Sequence, residues 1–381
     1  MIYLDNSATT FHKPKCVKDA VKESLKKYMA NPGRSGHSFS ISTGLKVLEA
    51  RELIASIVNC DTERVIFTGG CTEALNLAII GCAKPKGHII TTCFEHNSVL
   101  RTLAYLQKTM DITFTVLFPD NNLNNITIEK FEKAVQPNTY MTIVNHISNV
   151  VGIEQNIEEI GNFCYSNNLL FIVDGAQSMG HRIIDMKKCH INLLAMAGHK
   201  GLYSLQGVGC LCVSEDTPLS PIKFGGTGTN SEDLTQPNIF PEGFESGTLP
   251  TPAIISLHSG TKYAYEHLEA INSKINKLSK ILLKSLTKNK NVTLYTPITN
   301  YNGVISFNIK NFTSSTVSDI LNEQYGIAVR GGLQCAPYVH QHFGTTTNGM
   351  IRVSIGRNNT KKHILRLIRA IKSITKKSVS V

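Results

Sequence analysis

The sequence predicts an α/β fold in which a mostly parallel sheet is flanked by helices. Between residues 64 and 213, short apolar runs of strand length alternate with runs of helical periodicity. Several of the apolar runs end abruptly on polar or charged residues, as buried parallel strands do at their carboxyl ends. At 381 residues the chain is long enough for two domains. We expect a large domain at residues 14–253 and a smaller α+β domain formed by residues 1–13 and 254–381.

The first strand predicted in the large domain, residues 64–67, leads into a glycine-containing turn and a helix, TGGCTEALNLAIIG at 68–81. Cys71 and Thr72 at the helix start offer backbone N–H groups, a hydroxyl and the positive end of the helix dipole to an anion. A phosphate would fit there, although an ordinary capped turn gives the same pattern. Upstream, a polar loop that contains His37 is either a surface turn or part of a site.

Polar side chains also follow two other apolar runs. We interpret residues 88–99 as a strand that presents Glu95 and His96 at its exit, and residues 141–153 as a strand with Asn149 near its exit. A histidine at a strand edge can stack on an aromatic cofactor or move protons, but it can equally be structural.

An acid and a lysine follow two neighbouring runs in the centre of the chain. The run at 169–173 ends on Asp174, and the run at 193–197 is followed by His199 and Lys200. Ligands bind at the carboxyl edges of open α/β sheets. Pyridoxal phosphate (PLP) would use both groups, since it has a ring nitrogen to be kept protonated and an aldehyde that reacts with an amine. Taken singly, a helix cap and a solvated lysine remain the simpler interpretations.

The small domain is predicted to contain strands at 303–309, 326–332 and 350–356 that alternate with helices. The loop between the last two strands carries Cys335 in a polar context, where core packing is the weaker explanation for a cysteine.

Composition limits the classes of partner. Hydrophobic content of 41% and charged content of 18% are typical of a globular protein, and the start of the chain has no basic-then-apolar leader, so we expect a cytoplasmic protein with no membrane partner. The ten cysteines lack the spacing of a metal site or a disulfide framework. Cys210 and Cys212 lie two residues apart in a predicted strand, so their side chains are on the same face. We interpret them as core residues, with metal binding as a minor alternative. The net charge of +11 is densest at 271–290 and 361–377, which we interpret as solvated faces of amphipathic helices without a nucleic-acid partner.

Nine segments, in this order, carry a resemblance to a known family: YLDNSATT, TGGCTEALN, EHNSV, HISNVVG, VDGAQS, AGHKG, FESGT, VRGGLQCAP and IRVSIG. They resemble the class V aminotransferase superfamily of fold-type I PLP-dependent transferases. Within it they resemble the cysteine desulfurases, in the branch that includes selenocysteine lyases. The resemblance implies PLP as cofactor and a homodimer with shared active sites.

The resemblance also implies residue roles. Lys200 matches the lysine that binds PLP covalently, and Asp174 matches the acid that pairs with the pyridine nitrogen. Arg352 matches the arginine that grips the substrate carboxylate, for which a bidentate guanidinium is suited. The other cofactor-binding matches are His96, stacked on the ring; Asn149 and Gln177, at the phenolic oxygen; Cys71, Thr72 and His199, at the phosphate; and Thr248, at the phosphate of the other subunit.

Cys335 distinguishes between reactions. It matches the cysteine that attacks the sulfur of L-cysteine and becomes a persulfide, which implies that alanine is released and that the sulfur passes to an acceptor protein for iron-sulfur or thio-cofactor assembly. Arg330 and His37 lie on matching site-lining segments, and Gln334 stands where the family commonly has histidine. A selenocysteine lyase or another class V enzyme acting on a small amino acid is the alternative. A non-catalytic binding protein is disfavoured because Lys200, Asp174, His96 and Arg352 are all retained.

Overall fold

The computed structural model describes residues 1–33, 35–120, 125–229, 232–299 and 301–377. Its strands are β1 (Ile2–Tyr3), β2 (Val65–Thr68), β3 (His88–Thr92), β4 (Thr113–Leu117), β5 (Thr139–Asn145), β6 (Leu170–Asp174), β7 (Leu193–Ala197), β8 (Gly209–Val213), β9 (Val292–Leu294), β10 (Val304–Ile309), β11 (Ile327–Ala328) and β12 (Ile351–Ser354). Its helices are α1 (Lys15–Lys27), α2 (Ser38–Val58), α3 (Cys71–Gly81), α4 (Asn97–Met110), α5 (Ile128–Ala134), α6 (Ile157–Ser166), α7 (Thr251–Glu266), α8 (Leu268–Leu286), α9 (Ser314–Tyr325), α10 (Pro337–His342) and α11 (Lys361–Lys377). In this part of the chain, no helix is both long and apolar enough to cross a membrane.

A seven-stranded sheet forms the centre of the molecule, with strand order β2-β8-β7-β6-β5-β3-β4. The five strands from β7 to β4 run parallel, and only β8 is antiparallel to both of its neighbours. The predicted α/β class with a mostly parallel sheet is therefore confirmed. Because the chain alternates between strands and helices, the carboxyl ends of β3, β5, β6 and β7 meet at one edge of the sheet.

Both faces of this sheet are covered, which explains why its strands are apolar without polar alternation. Ile172 of β6 packs into the layer that contains α3 and α4, and its neighbour Val173 packs into the layer that contains α2 and α6. Cys210 and Cys212 are fully buried in the second of these layers, so their predicted role in core packing is confirmed.

A third apolar cluster lies in the C-terminal part of the chain, around the antiparallel sheet β12-β10-β9 and helices α8, α9 and α11. Strand β1 belongs to this cluster, since it pairs in parallel with β11 and buries Ile2 and Leu4 there. The domain boundaries after residues 13 and 253 remain predictions, and α7 begins at Thr251, just before the second of them.

Three predicted strands are too long, and the one predicted at 326–332 forms only the two-residue β11. β3 ends at Thr92, because His96 caps α4 and accepts a hydrogen bond at Nδ1 from the Ser98 N–H at 3.1 Å. β5 ends at Asn145, and the chain then folds back on itself with a hydrogen bond from the Ser148 N–H to the Ile153 carbonyl. The sequence-based prediction lacks β4 and α5. β4 is a short, partly buried edge strand in which Phe114 and Val116 alternate with Thr113 and Thr115, a pattern typical of a half-buried strand.

Candidate active site

A cavity of about 730 Å³ lies at the carboxyl edge of the central sheet, where a loop and a strand of the C-terminal part face it. Most of the predicted site residues line it: Cys71, Thr72, His96, Asn149, Asp174, Gln177, His199, Lys200, Arg330, Cys335 and Arg352. His37 and Thr248 are exposed and do not line this cavity. His37 instead caps α2 by accepting a hydrogen bond at Nδ1 from the Ser40 N–H at 3.1 Å.

Asp174 is the last residue of β6 and is 2% exposed. Its Oδ1 accepts hydrogen bonds from the Ala176 N–H at 2.9 Å and the Cys71 thiol at 3.5 Å, and its Oδ2 accepts one from Asn145 Nδ2 at 3.2 Å. Asn145 is in position because it is the register partner of Asp174 on β5. Donors that approach from three sides stabilise the ionised carboxylate and fix its orientation.

The turn before α3 provides an anion-binding end to the cavity. Gly70 has φ of 148°, a conformation that favours glycine, and directly precedes the first helical residue, Cys71. The first N–H groups of a helix lack partners within the helix, so those at Cys71 and Thr72 suit a phosphate. Burial and the Asp174 carboxylate raise the pKa of the Cys71 thiol well above its usual value, which keeps the thiol protonated and able to donate.

Lys200 reaches the cavity from the turn after β7. Burial lowers the pKa of its amine, against the opposing influence of Asp174, and so favours the neutral, nucleophilic form. The backbone of this turn is held by the N-terminal segment. The Thr10 hydroxyl donates to the Lys200 carbonyl at 2.6 Å, and the His199 carbonyl accepts from the Thr10 N–H at 3.0 Å and from Lys13 Nζ at 3.1 Å.

Two histidines beside Lys200 are held in the neutral form. Burial lowers the pKa of His96, whose ring is fixed by its capping bond to α4. Burial, with the nearby charges of Lys200 and Lys13, lowers the pKa of His199 to about 4. Neutral imidazoles suit the predicted roles of ring stacking for His96 and phosphate contact for His199.

Cys335 lies on the facing loop in an unusual backbone conformation. Gln334 and Cys335 have φ of 44° and 60°, two consecutive non-glycine residues in the left-handed region, where side chains are strained. The Gln334 amide Nε2 donates to the carbonyls of Gly332 at 2.7 Å and Met350 at 2.6 Å, and the Asn97 N–H donates to the Cys335 carbonyl at 2.7 Å. These bonds hold the half-buried thiol at the cavity edge.

Arg352 on β12 is 2% exposed and is oriented by two hydrogen bonds. Its Nη2 donates to Asp5 Oδ1 at 2.6 Å, and its Nη1 donates to the Asn149 carbonyl at 2.9 Å. Among the described residues, its Nε has no partner. The guanidinium is thus fixed at the cavity wall with its Nε–H unused.

Comparisons with known proteins decide the family. The model of the class-V aminotransferase family matches residues 2–367. The chain belongs to this family. It is 32% identical to a probable cysteine desulfurase of Methanothermobacter thermautotrophicus, over 95% of this chain and 92% of that protein, and 32% identical to the cysteine desulfurase IscS of Methylobacillus flagellatus, over 98% and 91%. The apo structure of a cysteine desulfurase from Thermococcus onnurineus is 30% identical and superimposes with a TM-score of 0.91, covering 99% of this chain and 95% of that one. The expected resemblance is confirmed.

Class-V aminotransferases are PLP-dependent, and the cavity fits this cofactor. An ionised acid, a helix N-terminus and a lysine amine line one space, as the ring nitrogen, phosphate and aldehyde of PLP require. The buried Oδ1 of Asn149 has no partner within the described residues, so it is available to a ligand.

In this class-V aminotransferase, three residues that support the site were not assigned from the sequence. Asn145 ends an apolar strand on a polar residue, the same signal that indicates Asp174. Asp5 and Glu95 are the other two. Glu95 is fully buried, and the loss of hydration raises its pKa to about 8, although Thr92 and the Asn145 N–H donate to its Oε1 at 2.7 and 2.8 Å.

Proposed function

We propose that this chain is a PLP-dependent cysteine desulfurase, which converts L-cysteine to L-alanine and takes the sulfur onto Cys335 as a persulfide. The observation that carries the proposal is that Lys200, Asp174, Cys335 and Arg352 line one cavity. The first two suit amino-acid chemistry on PLP in general, whereas the cysteine on the facing loop favours attack on a substrate sulfur.

Asp174, the start of α3 and Lys200 would hold PLP by its ring nitrogen, phosphate and aldehyde carbon, with His96 on the ring face. When bound, the cofactor supplies an electron sink for the substrate carbon. Gln177 would donate to the phenolic oxygen, although in this structure its Nε2 donates to the Ser7 carbonyl at 3.0 Å.

Three residues of the chain carry out the other steps of the reaction. Arg352 binds the carboxylate of L-cysteine, for which its unused Nε provides a donor. Lys200 takes the proton from Cα, since its lowered pKa makes the neutral amine available as a base. The Cys335 thiolate attacks the substrate sulfur, the Cβ–S bond breaks with its electron pair left on carbon, and protonation of that carbon gives alanine.

The sulfur then leaves the enzyme from a half-buried position. Cys335 lies on a loop at the cavity edge, so a persulfide there is within reach of an acceptor protein for iron-sulfur or thio-cofactor assembly. All ten cysteines are free thiols, which agrees with a reducing compartment such as the cytoplasm.

A homodimer with shared sites accounts for the two predicted site residues that lie outside the cavity, His37 and Thr248. Phe39, Ile41 and Leu45 expose 68%, 54% and 54% of their surface on α2, and Leu25 in α1 and Met29 after it are exposed as well. An apolar surface of this kind marks a protein interface.

Thr248, which the resemblance assigns to the phosphate of the other subunit, is exposed outside this cavity, as is His37. Sedimentation should show a dimer that Ile41→Glu with Leu45→Glu dissociates. A monomeric parent protein would contradict the shared site.

The reaction is tested by giving purified holoenzyme L-cysteine and a thiol reductant and measuring alanine and sulfide. We expect both products in equal amounts. Cys335→Ala should lower the rate at least about 10²-fold, the lower end of what a reacting group contributes. Cys16→Ala is the matched control, because Cys16 is exposed on α1 outside the cavity. If Cys335→Ala desulfurates cysteine as fast as the parent, Cys335 is not the nucleophile. A preference for selenocysteine, or an oxo-acid product, would favour the alternative class V activity.

A further inference from the structure

Positive charge is concentrated at one end of the chain. Residues 270–381 contain seventeen of the 39 lysines and arginines but only two of the 28 acidic residues, Asp319 and Glu323. This stretch has a net charge of +15, whereas residues 1–269 have a net charge of −4. An asymmetry of this size indicates a polyanionic partner for the C-terminal part.

Helices α8 and α11 present most of this charge to solvent. Their apolar faces are buried in the core beneath them, as Ile275, Leu282, Leu367 and Ile374 illustrate. Membrane-surface helices bind by inserting such a face into lipid, and here it is not available. The solvent-facing side of the two helices is therefore what a partner would meet.

A groove of about 740 Å³ runs along the solvent side of α8 and reaches the start of α11. Three apolar residues of α8 line it at helical spacing, and we call them its floor: Ala270, Leu278 and Ile281. Phosphate-backbone binding needs charge but no apolar floor. The floor therefore favours an amphipathic polypeptide over RNA.

Four lysines also line the groove, and we call them its rim: Lys274, Lys277, Lys280 and Lys361. Lys274 and Lys277 lie on the same side of α8 as the apolar residues. Within the part of the chain that the structure describes, none of these lysines makes an ion pair. Lys274 donates to the Arg357 carbonyl at 2.5 Å, and the Lys280 ammonium lies 4.8 Å from the centre of the Tyr301 ring. Four uncompensated ammonium groups beside an apolar floor would pair with carboxylates on an apolar helix.

We propose that this groove docks an acidic amphipathic helix of a partner protein. The apolar side of that helix lies on the floor formed by Ala270, Leu278 and Ile281, and its carboxylates pair with the lysines of the rim. Lys361 also begins α11, whose positive dipole end adds to the attraction. The proposal goes beyond the desulfurase reaction and does not depend on it, because the groove lies outside the active-site cavity.

The test uses the full-length holoenzyme and a fluorescein-labelled 18-residue peptide with leucines on one helical face and glutamates on the other. Fluorescence anisotropy should show binding that is at least about 10-fold tighter than that of a scrambled peptide of the same composition. Lys274→Glu with Lys277→Glu and Lys361→Glu should weaken binding at least about 10-fold. Ala270→Glu, which puts a carboxylate on the floor at an exposed helix position, should weaken it as well.

The matched control carries the same charge change outside the groove, Arg369→Glu with Lys372→Glu and Lys376→Glu on α11. It should change the peptide affinity less than about 2-fold, and circular dichroism should show all variants folded. The proposal is overturned if the helical peptide does not bind, if the scrambled peptide binds equally well, or if the control weakens binding as much as the rim variant. Tighter, rim-dependent binding of a 20-nucleotide RNA or of phosphatidylglycerol vesicles would likewise overturn it in favour of those partners.

Discussion

The two sides of the active-site cavity hold their functional groups in different ways. On one side, which we call the strand-end wall, Asp174 ends β6 and Lys200 follows β7. On the other, which we call the loop wall, Cys335 lies in a strained turn and Arg352 is oriented by Asp5. Asp174 is thus positioned by regular sheet structure, with the Lys200 turn held in addition by Thr10 and Lys13. The functional side chains of the loop wall are oriented mainly by contacts between segments that are far apart in the chain.

This difference predicts how each wall responds to change. The backbone of the strand-end wall is fixed at Asp174 by sheet hydrogen bonds and at Lys200 by bonds from Thr10 and Lys13 to backbone carbonyls. Side-chain substitutions there should therefore remove a chemical function and leave the fold intact. On the loop wall, a single substitution should change the position of neighbouring side chains, the charge balance of the cavity and the stability of the protein together.

The largest effect is expected for Lys200→Ala on the strand-end wall. It removes the amine that binds the cofactor and moves the Cα proton, so activity should fall about 10⁴-fold, at the upper end for a proton-transfer group. The visible absorbance of bound PLP should also disappear.

Cys335→Ala on the loop wall is the comparison variant and should keep that absorbance while losing desulfuration. If Cys335→Ala is colourless, or Lys200→Ala stays coloured, the two walls do not divide cofactor binding from sulfur transfer as we infer.

The next effect is expected for Asp5→Asn on the loop wall. Arg352 is 2% exposed, and loss of its carboxylate partner leaves a buried charge uncompensated. Such a loss costs 3 to 5 kcal/mol in typical cases, and we expect about 3 kcal/mol because Asp5 is itself partly exposed. Urea unfolding measures this change in stability.

L-alanine should restore part of that stability in Asp5→Asn more than in the parent, since its carboxylate can compensate Arg352. Glu23→Gln, which breaks the exposed pair with Lys27, is the control and should show no measurable change. Equal stability of Asp5→Asn and the parent would mean that Asp5 does not hold Arg352.

The walls also differ in how far the sequence predicts them. The position of the strand-end wall can be predicted from local patterns. A short apolar run that ends on a polar residue is typical of a buried strand, and the last side chain of such a strand lies at the edge of the sheet. Asp174 and Lys200 line one cavity. The pairing of Asp5 with Arg352 joins residues 347 positions apart, and no local pattern encodes it. The conformation of Gln334 and Cys335 is likewise set by bonds to Met350 and Asn97 rather than by their own preferences.

A pH-dependent effect is expected behind the strand-end wall, at Glu95. Burial raises the pKa of this carboxyl from 4.5 to about 8, so the folded protein binds its proton more tightly than the unfolded chain does. The stabilisation is fully present below pH 4.5 and is lost as the pH rises through 8. Stability should therefore fall between these values, by at most about 1.4 kcal/mol per pH unit.

Glu95→Gln keeps the shape of the side chain and cannot ionise. Urea unfolding of this variant between pH 5 and 8 should give a flatter profile than that of the parent. An unchanged slope would show that Glu95 is ionised in the folded protein at neutral pH.

The smallest effect concerns the strain of the loop wall. Gln334 has φ of 44°, which costs a non-glycine residue roughly 1 to 2 kcal/mol, and its amide repays part of that cost by donating to Gly332 and Met350. Gln334→Ala loses the amide and keeps the strain, whereas Gln334→Gly loses the amide and relieves it. Because both variants lack the same hydrogen bonds, the difference between them isolates the backbone. We expect Gln334→Gly to be about 1 kcal/mol more stable than Gln334→Ala in urea unfolding. If Gln334→Ala is the more stable variant, residue 334 does not adopt the left-handed conformation.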